Sequence, residues 1–318
     1  MQDVSIIIPF KNPGGYFKEC IQSIINQTYT KWELVAINDH SVDDSLHVIQ
    51  SYASKDSRIK VIENNGLGII DALNTGFSVS IGQLITRMDA DDIMPVNRLE
   101  LMTKVFETVS KETIVTGLVK YFSDEEISSG YQKYERWINK TNLDQNQWKQ
   151  IYRECVIASP NWMIPKETLL KTQGFVGLQY PEDYDLTLRW YKSKLDIQTV
   201  PEITLYWREH PKRTSRISAN YNQESFFKLK IKHFIEHDWH GGELVIWGNN
   251  PKTSLVTKIL KKNKIHYLQQ SLNDFEKVKS IENPQILVGI YPNQQQRKQI
   301  ENYLQSIHLQ EGKHWWWL

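Results

Sequence analysis

Val4-Ser5-Ile6-Ile7-Ile8 is a compact, mostly β-branched run closed by Pro9, and further short runs follow at 33–37, 58–62 and 83–86. Runs of this kind read as strands buried on both faces of a sheet. Between them the spacing changes to that of helices. Residues 16–26 put Phe17, Cys20, Ile21, Ile24 and Ile25 on one side. Asp43-Asp44 opens a second helix, where carboxylates suit the exposed amides and the positive dipole end, and 67–79 forms a third. Strands and helices in this alternation predict a mostly parallel sheet covered by helices on both faces. Such sheets bind ligands at the carboxyl ends of their strands. Pro9-Phe10, Asn38-Asp39, Asn64-Asn65 and Asp89 to Asp92 are therefore expected along one edge.

The chain is long enough, at 318 residues, for a principal α/β domain with a smaller companion. Residues 120–207 are less regular and rich in Trp and Tyr, and 218–237 is a basic amphipathic helix. His240-Gly241-Gly242 breaks that helix, and a second α/β rhythm begins, with strands at 244–247, 265–268 and 285–290 and helices at 252–262 and 294–307. The expected division is a catalytic domain over 1–215, a helical linker over 216–241 and a small Rossmann-like domain over 242–318. Charge excludes some partners: 38 basic against 37 acidic residues create no general field for nucleic acid, so an anionic ligand needs a local site. The two cysteines, Cys20 and Cys155, form no Cys-x-x-Cys pair and read as reduced buried thiols. No signal-peptide pattern and no bilayer-length apolar segment is present, which points to the cytoplasm, with peripheral contact at the inner membrane face left open.

Asp89-x-Asp91 at a strand end carries the strongest chemical signal. Two close carboxylates make a hard-oxygen site suited to Mn²⁺ or Mg²⁺, whose shell is completed by phosphate oxygens and water. Asp92 is expected instead to cap the helix that begins near Pro95.

Four motifs occur in order: Ser5-Ile6-Ile7-Ile8-Pro9, Ile37-Asn38-Asp39 with Ser41 and Asp43, Gly66-Leu67-Gly68 with Ala72-Leu73-Asn74 and Gly76, and Arg87-Met88-Asp89-Ala90-Asp91-Asp92. Together they resemble the nucleotide-sugar-binding half of the family-2 inverting glycosyltransferases of GT-A type, over roughly the first 215 residues. The resemblance implies a GT-A α/β fold with a mostly parallel central sheet. It further implies transfer of a hexosyl or N-acetylhexosaminyl group from a UDP-sugar to a hydroxyl of a glycan or lipid-linked glycan, in bacterial surface polysaccharide synthesis. Asp39 matches the acid that accepts the uracil N3–H, Pro9 and Phe10 flank the base through their backbone, and Asn65 lies on the donor side. Asp89 meets the ribose or the metal, and Asp91 is the principal metal ligand. Leu73 stands where the family often carries a diphosphate-binding Arg, so Arg87 or another cation is the expected substitute.

Tyr180-Pro181-Glu182-Asp183-Tyr184-Asp185-Leu186 resembles the family's Glu-Asp motif on the acceptor side. Asp183 is the expected base, kept ionised by the helix amides, with Glu182 as the alternative base or as a partner that orients Arg189. Simple N-capping by Glu182 or Asp185 is the plain alternative. Tyr206-Trp207-Arg208-Glu209-His210 resembles the segment after the domain's last strand, with His210 as a further metal ligand and Arg208 near the diphosphate or the acceptor. Asn161, Trp162 and Tyr180 form a candidate acceptor platform, against which stands ordinary core packing.

In the last 77 residues Gly248-Asn249-Asn250-Pro251 lacks the repeated glycines of a dinucleotide site. A packing, self-association (homodimer) or acceptor-positioning role is expected there, and Trp315-Trp316-Trp317 is compatible with burial, a dimer contact or a membrane interface. Two other functions share parts of this pattern: a nucleotidyltransferase and a non-catalytic nucleotide-sugar-binding scaffold.

Overall fold

Strand β1 (Val4–Phe10) is buried along nearly its whole length because it lies inside a sheet with a parallel neighbour on each side. In the computed structural model, which describes residues 3–176, 180–271, 277–290 and 292–318, one neighbour is β2 (Trp32–Asn38), reached through helix α1 (Tyr16–Ile25). Helix α2 (Ser45–Ala53) leads to β3 (Ile59–Glu63), and α3 (Ile69–Val79) leads to β4 (Leu84–Arg87), the other neighbour of β1. Then come α4 (Arg98–Val105), β5 (Thr113–Phe122), α5 (Ser129–Leu143), β6 (Trp162–Pro165), α6 (Lys166–Lys171), α7 (Glu182–Lys192), β7 (Asp196–Arg208) and α8 (Thr214–Ile217). The sheet order is β3-β2-β1-β4-β6-β5-β7. Only β6 runs against its neighbours, so the expected mostly parallel sheet is what forms.

Period 3.6 in α1 puts Phe17, Cys20, Ile21 and Ile24 against the sheet, where all four are fully buried. Each large apolar side chain so placed contributes about 1.5–3 kcal/mol. Element bounds expected from sequence shift by one or two residues here, as helix ends fray and pairing, not propensity, ends a strand. One expectation fails outright. Asp92 does not cap α4, whose N-cap is Asn97; the Asp92 carboxylate accepts from the Arg208 backbone amide instead.

The chain divides into two compact units, Met1–Gln147 with Val156–Ile217, and Trp148–Cys155 with Ser218–Leu318. The second unit starts earlier than the expected boundary. Helix α9 (Gln223–His237) is no free linker, because it buries Phe227, Leu229, Ile231 and Phe234. With it come β8 (Glu243–Trp247), α10 (Pro251–Lys262), β9 (Leu268–Gln270), β10 (Pro284–Val288), α11 (Gln294–Ser306) and β11 (Trp315–Trp317). These strands make an all-parallel sheet, β11-β10-β8-β9. The strand expected at 265–268 lies later because β9 pairs with β8 only from Leu268 on. The Trp tail is the edge strand: Trp315 and Trp317 pack with Val245, Trp247 and Val288, and Trp316 meets Tyr152 and Phe234 edge-on. Asn250 and Thr253 form a capping box at the start of α10. Among the described residues no helix is long and apolar enough to cross a membrane.

Gly76 lets α3 lie close on the sheet: a Cβ there would sit 2.5 Å from Ile7 Cγ2 and 3.2 Å from Ile37 Cγ1. In an exposed helix interior Gly→Ala stabilises by about 0.5–1 kcal/mol. Here overpacking prevails, and Gly76→Ala is expected to destabilise the protein by about 1–2 kcal/mol, read as a lower urea midpoint at unchanged slope.

Candidate active site

Because β1 to β4 run in parallel and β5 and β7 share their direction, Phe10, Asn38, Glu63, Arg87 and Arg208 end at one edge of the sheet. The point where the chain turns from β1 outward to β2 on one side and β4 on the other is the switch point, where crevices form in such sheets.

On the β2 side the centre is Asp39, which is 5% exposed. Its backbone amide donates to the Phe10 carbonyl at 2.8 Å. One carboxylate oxygen, Oδ1, accepts from Asn64 Nδ2 at 2.7 Å and from the Gly68 amide at 3.0 Å. The other, Oδ2, lies 3.5 Å from the Lys11 ammonium. Gly68 has φ +88°, a left-handed conformation that glycine adopts without strain, and this turn aims its amide at Asp39. The expected donor-side residue Asn65 is exposed, and its neighbour Asn64 does the contacting. Phe10 is a core residue, its ring 4.7 Å from that of Phe17, so only backbone from the Pro9-Phe10 step faces this pocket. Tyr180 belongs here more than on an acceptor platform: its hydroxyl lies 3.5 Å from where a Gly68 side chain would begin. Burial, then the charges of Glu182, Asp71 and Asp39, raise its pKa.

The three aspartates after β4 have three different environments. Asp89 accepts from Arg87 Nε at 2.7 Å, yet burial outweighs that charge and raises its pKa. Asp91 faces His210, Nε2 to Oδ2 at 2.8 Å. Burial pushes the Asp91 carboxyl up, but the His210 hydrogen bond and the Arg213 charge prevail and hold it below its ordinary value. Asp92 is buried; desolvation, then Asp91 and Asp89, raise its pKa well above the carboxylate range. Arg208 Nε donates to the Asp91 carbonyl at 2.8 Å, its Nη2 pairs with Glu19, and its guanidinium lies 4.5 Å from the Tyr16 ring centre and 4.4 Å from that of Phe122. Arg208 therefore sits at the Asp91 end, away from the acceptor-side role given to it above.

Asp91 and His210, in contact at 2.8 Å, are side chains that could together hold a divalent cation. Among the described residues no group of three or more His, Cys, Asp or Glu side chains forms a ready metal cage. A carboxylate and an imidazole fit an ion that takes its remaining ligands from phosphate oxygens and water.

At the other end Arg87 Nη1 donates to Glu182 Oε1 at 3.0 Å, and both side chains are about 5% exposed or less. Arg87 is thus committed to carboxylates and does not replace the missing diphosphate Arg, while Leu73 is simply core. Glu182 orients Arg87, whereas Arg189 pairs with Asp185 and donates to the Thr172 and Gly174 carbonyls. Arg189 ties α7 to the turn after α6 and is no acceptor ligand. Asp183, half-buried at the start of α7, has its pKa raised to about 7 by desolvation and then by the Glu182 charge, with Arg87 opposing. The expectation that helix amides keep it fully ionised is overturned: desolvation and like charge outweigh the dipole. Asn161 and Trp162 are 0% and 2% exposed, with Asn161 bonded to Gly117 and Thr204 and the Trp162 indole to Ser159. They are core, and no platform.

Sequence reasoning passed over Arg98, Asn64 and Lys11. Arg98 is wholly buried beneath the aspartates, bonded to Thr86 and to the Pro160 carbonyl, its pKa lowered by burial to about 10. A lone Arg on a helix carries no signal of burial. Asn64 stood in the strand-end loop, where the pattern did not distinguish it from Asn65.

An edge with a buried aspartate after β2 and clustered aspartates after β4, on this strand order, fits a glycosyltransferase of GT-A type. Residues 5–169 match the family described as Glycosyl transferase family 2. An uncharacterised glycosyltransferase of Haemophilus influenzae is 30% identical over 239 residues, 71% of this chain and 72% of that protein. The glycosyltransferase GlyG of Streptococcus pneumoniae is 32% identical over 120 residues, 37% of this chain and 40% of its own length. Among solved structures, S. aureus TarS 1-349 in complex with UDP-GlcNAc aligns at TM-score 0.58 and 15% identity over 96% of this chain and 80% of that one. The mannosyltransferase PcManGT from Pyrobaculum calidifontis, in complex with GDP-Man and Mn²⁺, aligns at TM-score 0.56 and 17% identity over 81% and 69%. The chain belongs to glycosyltransferase family 2.

Replacing Arg87 by Met removes one guanidinium from two carboxylates. Loss of a buried charge partner costs about 3–5 kcal/mol, so Arg87→Met is expected to lower the urea midpoint far more than Arg87→Lys. A loss under about 1 kcal/mol would mean that the bridge is no more than a surface pair.

Proposed function

We propose that this chain transfers a sugar, with inversion, from a UDP-sugar to a hydroxyl of a glycan or lipid-linked glycan of a bacterial surface polymer, with Mn²⁺ or Mg²⁺ as cofactor. The observation that carries the reading is Asp183, a half-buried carboxylate with a pKa near 7 that feels the charges of Glu182, Arg87 and Asp89. Its supports are the Asp39 pocket for a base, the Asp91–His210 pair, and nucleotide-sugar complexes of the two structural neighbours.

In the proposed reaction the acceptor oxygen attacks the anomeric carbon on the face opposite the diphosphate. The bond to the diphosphate breaks with its electron pair going to the phosphate oxygen, and the acceptor proton passes to Asp183. A carboxylate of pKa about 7 is a stronger base than an ordinary one and is still half ionised at neutral pH. Arg87 keeps it from rising further, and Glu182 is held by Arg87 as a fixed negative wall. Asp91 and His210 would hold the cation, which when bound would supply positive charge to offset the negative charge of the leaving diphosphate. Arg208 fixes the Asp91 backbone from below.

Asp183→Asn is expected to bind UDP with metal as before and to lose about 10²- to 10⁴-fold in kcat; retained turnover would move the base elsewhere. In the unaltered protein kcat should rise with pH through about 7, as Asp183 ionises. Stability runs the other way. Because the folded pKa lies above the unfolded one, Asp183 contributes stability fully below about pH 4, and this is lost as pH rises through about 7. Asp183→Asn should therefore melt higher than the unaltered protein at pH 8 and gain little at pH 4.

Asp91→Asn is expected to abolish the Mn²⁺ dependence of donor binding while leaving the circular dichroism spectrum unchanged. Titration of UDP with Mn²⁺ or with EDTA reads this out, and an unaltered metal response would remove Asp91 from the metal site.

A further inference from the structure

Charge is divided unevenly between the two units. The second, Trp148–Cys155 with Ser218–Leu318, has 15 basic against 10 acidic side chains, and the first has 23 against 27. The near-neutral chain thus consists of a positive unit and a negative one. Within the second unit the excess is concentrated, since residues 228–264 hold eight lysines and three acids. Two of these lysines turn inward: Lys230, 3% exposed, donates to the Arg153 carbonyl, and Lys252 donates to the Leu318 carbonyl. The other six, Lys228, Lys232, Lys258, Lys261, Lys262 and Lys264, are exposed.

Helix geometry gathers these six on one connected surface. Lys228 and Lys232 are four residues apart on α9, and Lys261 and Lys262 follow Lys258 by three and four on α10, so each set shares a face. The two helices pack together, and Glu224 joins their faces, with Oε1 3.0 Å from Lys228 Nζ and 3.8 Å from Lys258 Nζ. One carboxylate therefore serves two ammonium groups. Lys232, Lys261, Lys262 and Lys264 have no carboxylate partner among the described residues. Lys261 and Lys262 suit the negative end of α10, but that end amounts to only about half an elementary charge. The face keeps a positive excess that its own structure does not neutralise.

We propose that this face of α9 and α10 is a docking surface for an anionic phospholipid bilayer, which it meets reversibly through the lipid phosphates. The inference goes beyond the nucleotide-sugar reading and does not depend on it. Clusters of about four to eight basic residues on an amphipathic helix suit an acidic leaflet. A lysine ammonium is a compact, strongly hydrated point charge, whereas nucleic-acid recognition favours the planar guanidinium and exposed rings on which bases stack. All six side chains are lysines, and over residues 223–270 the one exposed large apolar side chain is Leu268. With so little apolar surface to insert, the contact stays at the headgroups and is screened by salt. Each lysine near an acidic leaflet raises partitioning about fivefold.

The test is co-sedimentation of the full chain with vesicles of phosphatidylcholine alone and of phosphatidylcholine with equimolar phosphatidylglycerol. Binding to the acidic vesicles only, with release at raised salt, is expected. The triple variant Lys258→Gln, Lys261→Gln, Lys262→Gln should weaken that binding about 100-fold. A control triple in the first unit, Lys55→Gln, Lys171→Gln, Lys192→Gln, changes the net charge equally and should leave binding unaltered. Equal losses in the two variants would mean that binding follows net charge, which overturns the assignment to this face. Failure to bind acidic vesicles, or equal binding to phosphatidylcholine alone, overturns it as well. Tighter binding to single-stranded RNA than to acidic vesicles at equal phosphate concentration would make the face a nucleic-acid surface instead. Circular dichroism of each variant separates loss of binding from loss of fold. Should the triple variant unfold, Lys261→Gln alone, with an expected loss of about fivefold, gives the same reading.

Discussion

Five carboxylates, Asp89, Asp91, Asp92, Glu182 and Asp183, crowd the carboxyl end of β4 and the start of α7, and their neighbours' charges raise the cost of ionising Asp89, Asp92 and Asp183. The guanidinium of Arg87 makes the arrangement sustainable. It donates to Asp89 on one side and to Glu182 on the other, so the metal-side loop and the α7 motif share one charge. The two partners of that bridge lie 95 residues apart in sequence. Around it the remaining acids are sorted by environment. His210 and Arg213 hold Asp91 below its ordinary pKa, burial pushes Asp92 well above its own, and Asp183 is raised to about 7. One loop thus contains the proposed cation ligand and a structural acid, and the neighbouring helix the proposed base, all from the same kind of side chain.

The Asp39 pocket follows the same logic on the other side of the switch point. Its carboxylate is buried and is held by an amide, an asparagine and an exposed lysine at 3.5 Å. Hydrogen bonds to neutral donors fix direction better than a mobile cation does, and direction is what base recognition needs. Tyr180, just before α7, brings its hydroxyl close to Gly68, so the Asp39 side and the start of α7 approach each other within the first unit.

Much of this was legible before any coordinates. The alternation of apolar runs and helical spacings in the first 90 residues requires a parallel sheet, and a parallel sheet requires its polar strand ends to share an edge. That reasoning put Asp39, Asp89 and Asp91 together correctly. It failed where one residue type has two equally good local readings. Trp162 was equally a sugar platform or core, and burial decided for core. Asn65 and its neighbour Asn64 share a loop, and the backbone turn decided which faces Asp39. Asp92 and Asp185 read as caps but are spent on Arg208 and Arg189, because cap geometry depends on where the helix begins to within one residue. In the second unit the three tryptophans at 315–317 had three readings, and pairing with β10 settled them as an edge strand.

Local pattern, then, was sufficient for the sheet, for the edge and for the residue types that reach it, since hydrophobic periodicity and strand ends are properties of short segments. The protonation and commitment of each acid were not available locally. They depend on desolvation and on charges brought from distant segments, as Arg87 is to Glu182, Arg208 to Asp91 and Asn64 to Asp39. Electrostatic energy in a poorly solvated site changes steeply with distance and exposure, and only the folded chain sets either one.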